Sequence, residues 1–346
     1  MNDWTLDAIA LKLTKKKSWE ETTRAVVDKF PDAFAGLTSK QAWEKVRRAV
    51  RYSDEYKAMA KAVCVDKKEP TEADIDAYYQ TLMQLNDATM RLEKKQTRAT
   101  INIPDNKPIG IAFWGDWHVG AKGTDVRQLD ADVDTIADTD GLYCIGMGDY
   151  KDNASALVHA NSTQENIITT DMQSLVVQRL FERVGRKAIA IVRGCHDDWD
   201  KRNANVDFVQ SLCNITGAVN LWHGGIVTVN IGSQSYRIAA RHKYKNESGL
   251  NTTNTQRNFV NDFGVVDTVC FAHKHYYDMQ QLKRMGQDMI YARSGAYKVY
   301  DEFGQKLAGY EGIYGVPVII YMPDTHEMIP MRSLKLAVEV LDGLRK

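Results

Sequence analysis

Ser18-Trp19-Glu20-Glu21 has the order of a capping box, and behind it Trp19, Thr23, Val26, Val27 and Phe30 recur at helical spacing. The pattern predicts a helix over about residues 19–30. Pro31 to Leu37 interrupt it, and Thr38-Ser39-Lys40-Gln41 opens a second box ahead of Ala42, Trp43, Val46, Ala49 and Val50. On a wheel of about 100° per residue those five share one face, and Lys40, Arg47, Arg48 and Arg51 fall opposite. Two capped helices with a short break and a cationic second member fit a helix-turn-helix, so these four cations are candidate DNA-phosphate contacts; a protein-docking module and a plain structural cap are the alternatives. A third helix, about 72–96, starts at Thr71-x-x-Asp74 and carries Ile75, Tyr78, Tyr79, Leu82, Leu85 and Leu92, as a linker or a packing strut. Between Pro104 and Pro108 the period changes to short apolar runs ended by Gly or charged clusters. Such runs alternate with helical stretches (Val126–Ala137, Asn166–Val184, Val206–Cys213), which predicts an α/β body. The tail reads as a hairpin, Val316–Met322 with Glu327–Met331, then a helix from Ser333. The expected organisation is a helix-turn-helix-like domain at 1–62, a helical linker at 63–103 and an α/β domain at 104–346.

Composition narrows the class without naming a function. Of 346 residues, 44% are hydrophobic and 26% charged, the balance of a soluble globular chain rather than a disordered, collagenous or membrane-spanning one. Lys+Arg and Asp+Glu are both 45, which speaks against wholesale coating of a polyanion, although the first hundred residues carry a small basic excess. The first residues, with Asp3 and Asp7 ahead of any cation, do not read as a secretory signal, so a cytoplasmic location is expected. No apolar run is long enough to cross a membrane. Cys64, Cys144, Cys195, Cys213 and Cys270 lack CxxC spacing and read as reduced thiols. No phosphate-cradling Gly-x4-Gly-Lys-Ser/Thr sequence occurs, so no ATPase is expected within this chain.

The chemistry collects where strands end. Five times an apolar run stops at metal-binding groups: Ile109–Trp114 before Asp116 and His118, Leu142–Met147 before Asp149 and Asp152, Ala188–Val192 before Cys195 and His196, Tyr236–Ala240 before His242, and Val265–Ala272 before His273 and His275. In open α/β sheets ligands sit beyond the carboxyl ends of strands, so these tips can converge. Any one of the histidines taken alone is better read as a structural residue; five blocks in this arrangement are not. Nitrogen and oxygen donors together suit Mn, Fe or Zn, and the number of donors exceeds the need of one tetrahedral ion, which favours two ions bridged by one carboxylate. His159, His223 and His326 lie outside the set and read as structural, and Trp117, Trp199, Tyr276 and Tyr277 read as packing residues rather than base-stacking ones.

The order Asp-x-His, Gly-Asp-x-x-Asp, Gly-x-His-acid, lone His and His-x-His over about residues 109–300 resembles the calcineurin-like metallophosphoesterases, closest to phage-type members and, more weakly, to double-strand-break repair nucleases. The resemblance implies a four-layer α/β/β/α sandwich of two mixed sheets behind the small all-α domain. It implies that Asp116, His118 and His275 hold one divalent metal and His242 and His273 the other, with Asp149 between them. Two Mn ions are expected foremost, Fe or Zn otherwise. It implies a metal-bound hydroxide attacking phosphorus in line while His196, oriented by Asp152, assists the leaving oxygen. Three positions depart from the family. Cys195 replaces an asparagine ligand, and is either a thiolate ligand favouring Zn or Fe or a neutral bystander. Asn153 stands where the protein-phosphatase branch carries a phosphate-clamping arginine, which favours diesters. The last block begins with Ala272 in place of glycine, and its Lys274 is read as solvated rather than phosphate-binding. A DNA phosphodiesterase, with DNA as partner and a homodimer left open, is therefore the leading expectation. A phosphoesterase for small-molecule or protein substrates, and a catalytically weak DNA-binding scaffold, are the alternatives.

Overall fold

The structure, a computed structural model, describes residues 2–54, 56–58, 70–92, 97–155, 160–247, 251–300 and 312–346. The chain divides into two compact units, residues 1–92 and 93–346.

In the first unit α1 (Asp3–Ile9) continues into a π-helical turn at Ala10–Thr14, followed by α2 (Trp19–Lys29), a 3-10 turn at Pro31–Phe34, α3 (Ser39–Tyr52) and α4 (Glu72–Leu92). Both capping boxes form: Ser18 Oγ accepts from the Glu21 amide at 3.1 Å and Thr38 Oγ1 from that of Gln41 at 3.3 Å. Trp4, Ala8, Ile9, Val26, Phe34, Ala42, Val46 and Val50 pack into one apolar cluster, with the Trp4 and Phe34 rings edge to face at 5.2 Å. At the start of α1 the Asn2 side chain makes no cap hydrogen bond, and the helix's place in the cluster comes from Trp4, Ala8 and Ile9. Along α4 the stripe Ile75, Tyr78, Tyr79, Leu82 and Leu85 is more than half exposed. Cys64, residues 63–69 and the expected continuation of this helix over 93–96 lie outside the described residues.

The second unit contains β1 (Arg98–Ile103), β2 (Ile109–Trp114), α5 (Val126–Asp138), β3 (Leu142–Gly146), α6 (Thr170–Val184), β4 (Ala188–Ile191), α7 (Asp198–Ala204), α8 (Phe208–Thr216), β5 (Val219–Asn220), β6 (Gly224–Ile231), β7 (Gln234–Arg241), α9 (Asn254–Phe263), β8 (Thr268–Phe271), β9 (Asp278–Arg284), β10 (Gln287–Arg293), β11 (Val318–Tyr321), β12 (Met328–Met331) and α10 (Leu334–Arg345). Two six-stranded sheets result, ordered β1-β6-β7-β8-β10-β9 and β12-β11-β2-β3-β4-β5. Both are mixed: β2, β3, β4 and β5 run parallel with β11 antiparallel at their side, and β7, β8 and β10 run parallel between antiparallel β6 and β9.

Side-chain alternation explains the layering. Along β2, Ile109, Ile111 and Phe113 join the cluster between the sheets with Val227, Val229, Ile238 and Ile290. Ala112 and Trp114 face the other way, toward Leu129 and Val133 of α5, Val177 and Phe181 of α6 and Leu341 of α10. The outer face of the other sheet packs Ala239, Val269 and Tyr291 on Phe259 and Val260 of α9. A strand covered on both faces must be apolar throughout, which is why β2 is buried along its whole length. The architecture is a four-layer α/β/β/α sandwich of two mixed sheets with a helical region ahead of it. One expectation is corrected: residues 98–103, assigned to a helical linker, form β1, paired parallel to β6 from Arg98↔Ile226 to Ile103↔Ile231. Ala99, Ile101 and Ile103 turn inward and Arg98, Thr100 and Asn102 outward, a two-residue alternation that a helical period does not accommodate.

Candidate metal centre

Strands β2, β3 and β4 end side by side in one sheet and β7 and β8 side by side in the other, so five loops meet at one edge of the sandwich. There four overlapping groups hold their ligand atoms within 4.8 Å of one another: Asp116, His118 and His275; Cys195, His242 and His273; Asp116, Asp149 and His242; His118, Asp149 and His196. Asp149 belongs to two of the groups, adjoining His242 Nε2 at 3.1 Å and His118 Nε2 at 3.9 Å through Oδ2. His275 Nε2 lies 3.6 Å from Asp116 Oδ1 and 3.1 Å from His118 Nε2, and Cys195 Sγ lies 3.8 Å from His273 Nδ1.

The backbone delivering these groups is tightly constrained. Asp116, His118, Asp149, His273 and His275 all have positive φ, from 47° to 75°. A Cβ at Gly194 would stand 2.1 Å from both the amide nitrogen and Oδ1 of Asp149, and one at Gly148 2.5 Å from the Gly194 nitrogen, so only glycines let these two loops approach. Hydrogen bonds then lock the loops together. Asp149 Oδ1 accepts the His196 amide at 2.7 Å, Asp116 Oδ2 accepts the His273 amide at 2.9 Å, and Asp197 Oδ2 accepts the amides of Asp149 and Gly194, both at 2.8 Å.

Electrostatics separate the donors by protonation. Burial, and next the neighbouring His196, push the His118 pKa down; burial and His118 hold His275 well below the usual histidine range. Burial and the charge on His242 bring His273 down to about 3. These three rings stay neutral and keep a lone pair for an electrophile. Burial would raise Asp149, but the charges of His242 and His196 outweigh it and hold its carboxyl well below the ordinary value. His242 moves the opposite way: burial would lower it, and Asp149 instead raises it well above the usual range. Burial pushes Asp116 up to about 8 and Asp197 up to about 6. Asp116 Oδ1 and His242 Nε2 are buried with no hydrogen bond, the latter facing Asp149 outside hydrogen-bond geometry. Buried polar atoms without partners are costly, and a set of N, O and S atoms aimed at one another in this state fits divalent cations.

One expectation about orientation changes. The Asp152 carboxylate meets Nδ1 of His118 and Nζ of Lys298, each at 3.2 Å, and it is the main-chain carbonyl of Asp152 that takes Nδ1 of His196 at 2.5 Å. A carboxylate on the far nitrogen of a ring whose other nitrogen points at a metal site fixes tautomer and direction. Asn153 donates to the His196 carbonyl at 2.8 Å and to Asp200 at 3.1 Å, so it shapes the loop. Lys274 is part-exposed, with Nζ 3.9 Å from Glu247. Trp117 is fully buried among Trp114, Tyr150 and Phe181, and Trp199 packs on His196 with ring centroids 4.0 Å apart. His326 is paired with Asp267 at 2.8 Å, His223 sits 3.9 Å from Asp198, and His159 is outside the described residues. Lys40, Arg48 and Arg51 are exposed on α3 in the other unit, and Arg47 lies half-buried with its guanidinium 4.7 Å from the Trp43 ring. Cys144, Cys195, Cys213 and Cys270 are free thiols.

Sequence reasoning missed three contributors. Asp197 staples two loops and was visible only as the acid after His196. Glu247 places Oε2 3.8 Å from His273 Nε2, on the far side of that ring from Cys195, while its Oε1 is buried and 3.6 Å from Arg293. Lys298 reaches Asp152 from a loop with no motif of its own.

No family model matches the chain, and no curated protein matches it. Similar solved structures include Vps29 of Chaetomium thermophilum, at 13% identity, covering 65% of this chain and 96% of that one with a TM-score of 0.37. They also include Vps29 of Entamoeba histolytica complexed with zinc (10% identity, 65% and 98% covered, TM-score 0.35) and a conserved Streptococcus pneumoniae protein described as a phosphoesterase (12%, 65% and 98%, 0.32). All three have the calcineurin-like metallophosphoesterase fold. At this level of similarity no chemistry passes from them to this chain, whose own side chains carry the case.

Proposed function

We propose that the chain is a dinuclear-metal phosphodiesterase acting on DNA. The observation that carries this is the convergence of two donor sets, Asp116/His118/His275 and Cys195/His242/His273, on either side of one ionised carboxylate, Asp149, with orphaned buried atoms in both. Divalent cations bound there would supply a nucleophile at neutral pH and neutralise charge on phosphate oxygens. Asp149, adjoining both sets, would hold the two ions at a fixed separation, and Asp152 and Glu247 would aim His118 and His273 from behind. Mn is the first choice, with Fe or Zn favoured at the sulfur-containing half.

His196 would serve the leaving group. Its Nδ1, donating to the Asp152 carbonyl, fixes the ring so that Nε2 can present a proton to a departing oxygen, and the Trp199 ring blocks rotation. Asn153 in place of a terminal-phosphate clamp favours a diester. DNA is the substrate we favour because the first unit carries a cationic α3 in a three-helix cluster. The exposed stripe of α4 is where a homodimer would form.

With Mn(II), purified protein should hydrolyse a generic aryl phosphodiester and then DNA. Asp149→Asn and His196→Ala should each lower the rate by about 100-fold or more. Variants as fast as the wild type would dismiss this site, and hydrolysis of small esters without cleavage of DNA would move the substrate to a small molecule.

A further inference from the structure

Beside the metal centre lies a groove of about 610 Å³ that shares Cys195 and His242 with it. Its walls carry five cations, Arg193, Arg202, Arg241, Lys243 and Lys245, against one carboxylate, Asp198. Three of the five are neutralised locally: Arg193 by Asp207 and by Asp198 at 3.4 Å, Arg202 by Asp198 at 3.1 Å, and Lys245 by Asp262 at 2.9 Å. Arg241 and Lys243, which flank His242 in the chain, have no carboxylate within 4.0 Å among the described residues. Arg241 is half-buried, its Nε has no hydrogen-bond partner, its Nη1 makes a long hydrogen bond of 3.4 Å to the Gly224 carbonyl, and its guanidinium lies 5.4 Å from the Tyr244 ring. A guanidinium partly withdrawn from water and left without a counter-charge is costly unless an anion completes it.

We propose that this groove is a subsite for a non-scissile phosphate of a polynucleotide strand, with Arg241 and Lys243 as its contacts. The proposal rests on the phosphodiesterase reading above and names what that reading leaves open, the part of the protein that grips the strand at the reacting centre. A small cyclic or aryl diester ends at the group being cleaved and has nothing to put there. A polynucleotide carries a further phosphate on each side of the scissile one, and the groove opens directly from His242. Arg241 offers a planar fork suited to two phosphate oxygens, and exposed Lys243 a movable point charge at the mouth. Contacts from Arg241 and Lys243 to phosphate position the strand and carry no sequence information themselves.

The test is binding of a fluorescent single-stranded oligonucleotide to the full chain in chelator, followed by anisotropy across a salt series. Each phosphate contact contributes about 0.7 to the slope of log K against log salt. Arg241→Gln/Lys243→Gln should therefore lose about 1.4 from the wild-type slope, Lys243→Gln alone about 0.7, and Arg241→Lys close to none. The single Lys243→Gln change, on an exposed side chain, keeps the test decisive should the double variant fail to fold. An unchanged slope in Lys243→Gln and the double variant overturns the subsite, as does equally effective displacement of the oligonucleotide by polyglutamate, which would make the groove a site for acidic protein. Because the measurement needs no turnover, oligonucleotide binding with the expected slopes but no ester hydrolysis with any metal would sink the catalytic reading and leave the groove standing.

Discussion

Asp116, His118, Asp149, His273 and His275 hold left-handed backbone conformations that non-glycine residues rarely adopt, each at a cost of about 1–3 kcal/mol. Such strain persists only where surrounding bonds over-determine it, and here Asp197, Asp149 and Asp116 bond the amides of the neighbouring loops. Cys195 is the side chain at which the two descriptions of the second donor set part. Its Sγ faces His273 Nδ1 across 3.8 Å and completes a group with His242, the position of a ligand. Co(II)-loaded wild type should accordingly show a thiolate-to-metal charge-transfer absorption, and Cys195→Ala should lose that band together with about one equivalent of bound cobalt. A band and a stoichiometry unaffected by the substitution would make the cysteine a bystander.

At the scale of elements, what could be read from sequence depended on how each strand is covered. β2, β3, β4, β7 and β8 are sandwiched or flanked, so each is an apolar run ended by a turn and a donor, and all five were legible as strand tips. β9, with Gln280, Gln281 and Lys283 exposed at the edge of its sheet, has too little apolar character to stand out. Its turn with β10 is Met285-Gly286, both at positive φ, a two-residue hairpin lacking the usual Asn or Asp. Glu247 and Lys298 were illegible because single loop residues carry no period. The terminal helix α10 was anticipated from its Ser333 cap, but its anchor was not: Arg345 donates to the Pro108 carbonyl at 2.8 Å, to Asp105 at 2.7 Å and to Asp140 at 2.6 Å. Removing it by Arg345→Met should cost about 1–3 kcal/mol at neutral pH, most of it through Pro108 and Asp105, because the Asp140 pair is solvent-screened. The bond to Arg345 lowers the Asp140 pKa; at Asp105 burial acts upward, and Arg345 together with the Lys107 amide more than offsets it. Carboxyls with lowered folded values stabilise the fold above the ordinary Asp value of 3.8 and cease to as pH falls through the folded ones. Thermal melting of wild type and variant should thus differ most near neutrality and draw together below about pH 3.8. A gap independent of pH would show that the arginine acts through the Pro108 carbonyl and packing rather than through the two carboxylates.

At the scale of the whole molecule, two units with separate apolar clusters divide the work that the proposal assigns, one carrying α3 and the other the five tips. No helix among the described residues is long and apolar enough to cross a membrane. The candidate metal centre belongs to neither sheet alone: β2, β3 and β4 bring Asp116, His118, Asp149 and Cys195, β7 and β8 bring His242, His273 and His275, and the apolar layer between the sheets sets how far apart they stand. The central claim is that two cations share Asp149 at this seam. Electron paramagnetic resonance of the protein loaded with two equivalents of Mn(II) tests it directly, since two ions joined through one carboxylate are magnetically coupled. The wild type should give a coupled-pair spectrum that Asp149→Asn abolishes, whereas uptake of a single ion, or the signal of two isolated Mn(II) ions in the wild type, would contradict the account.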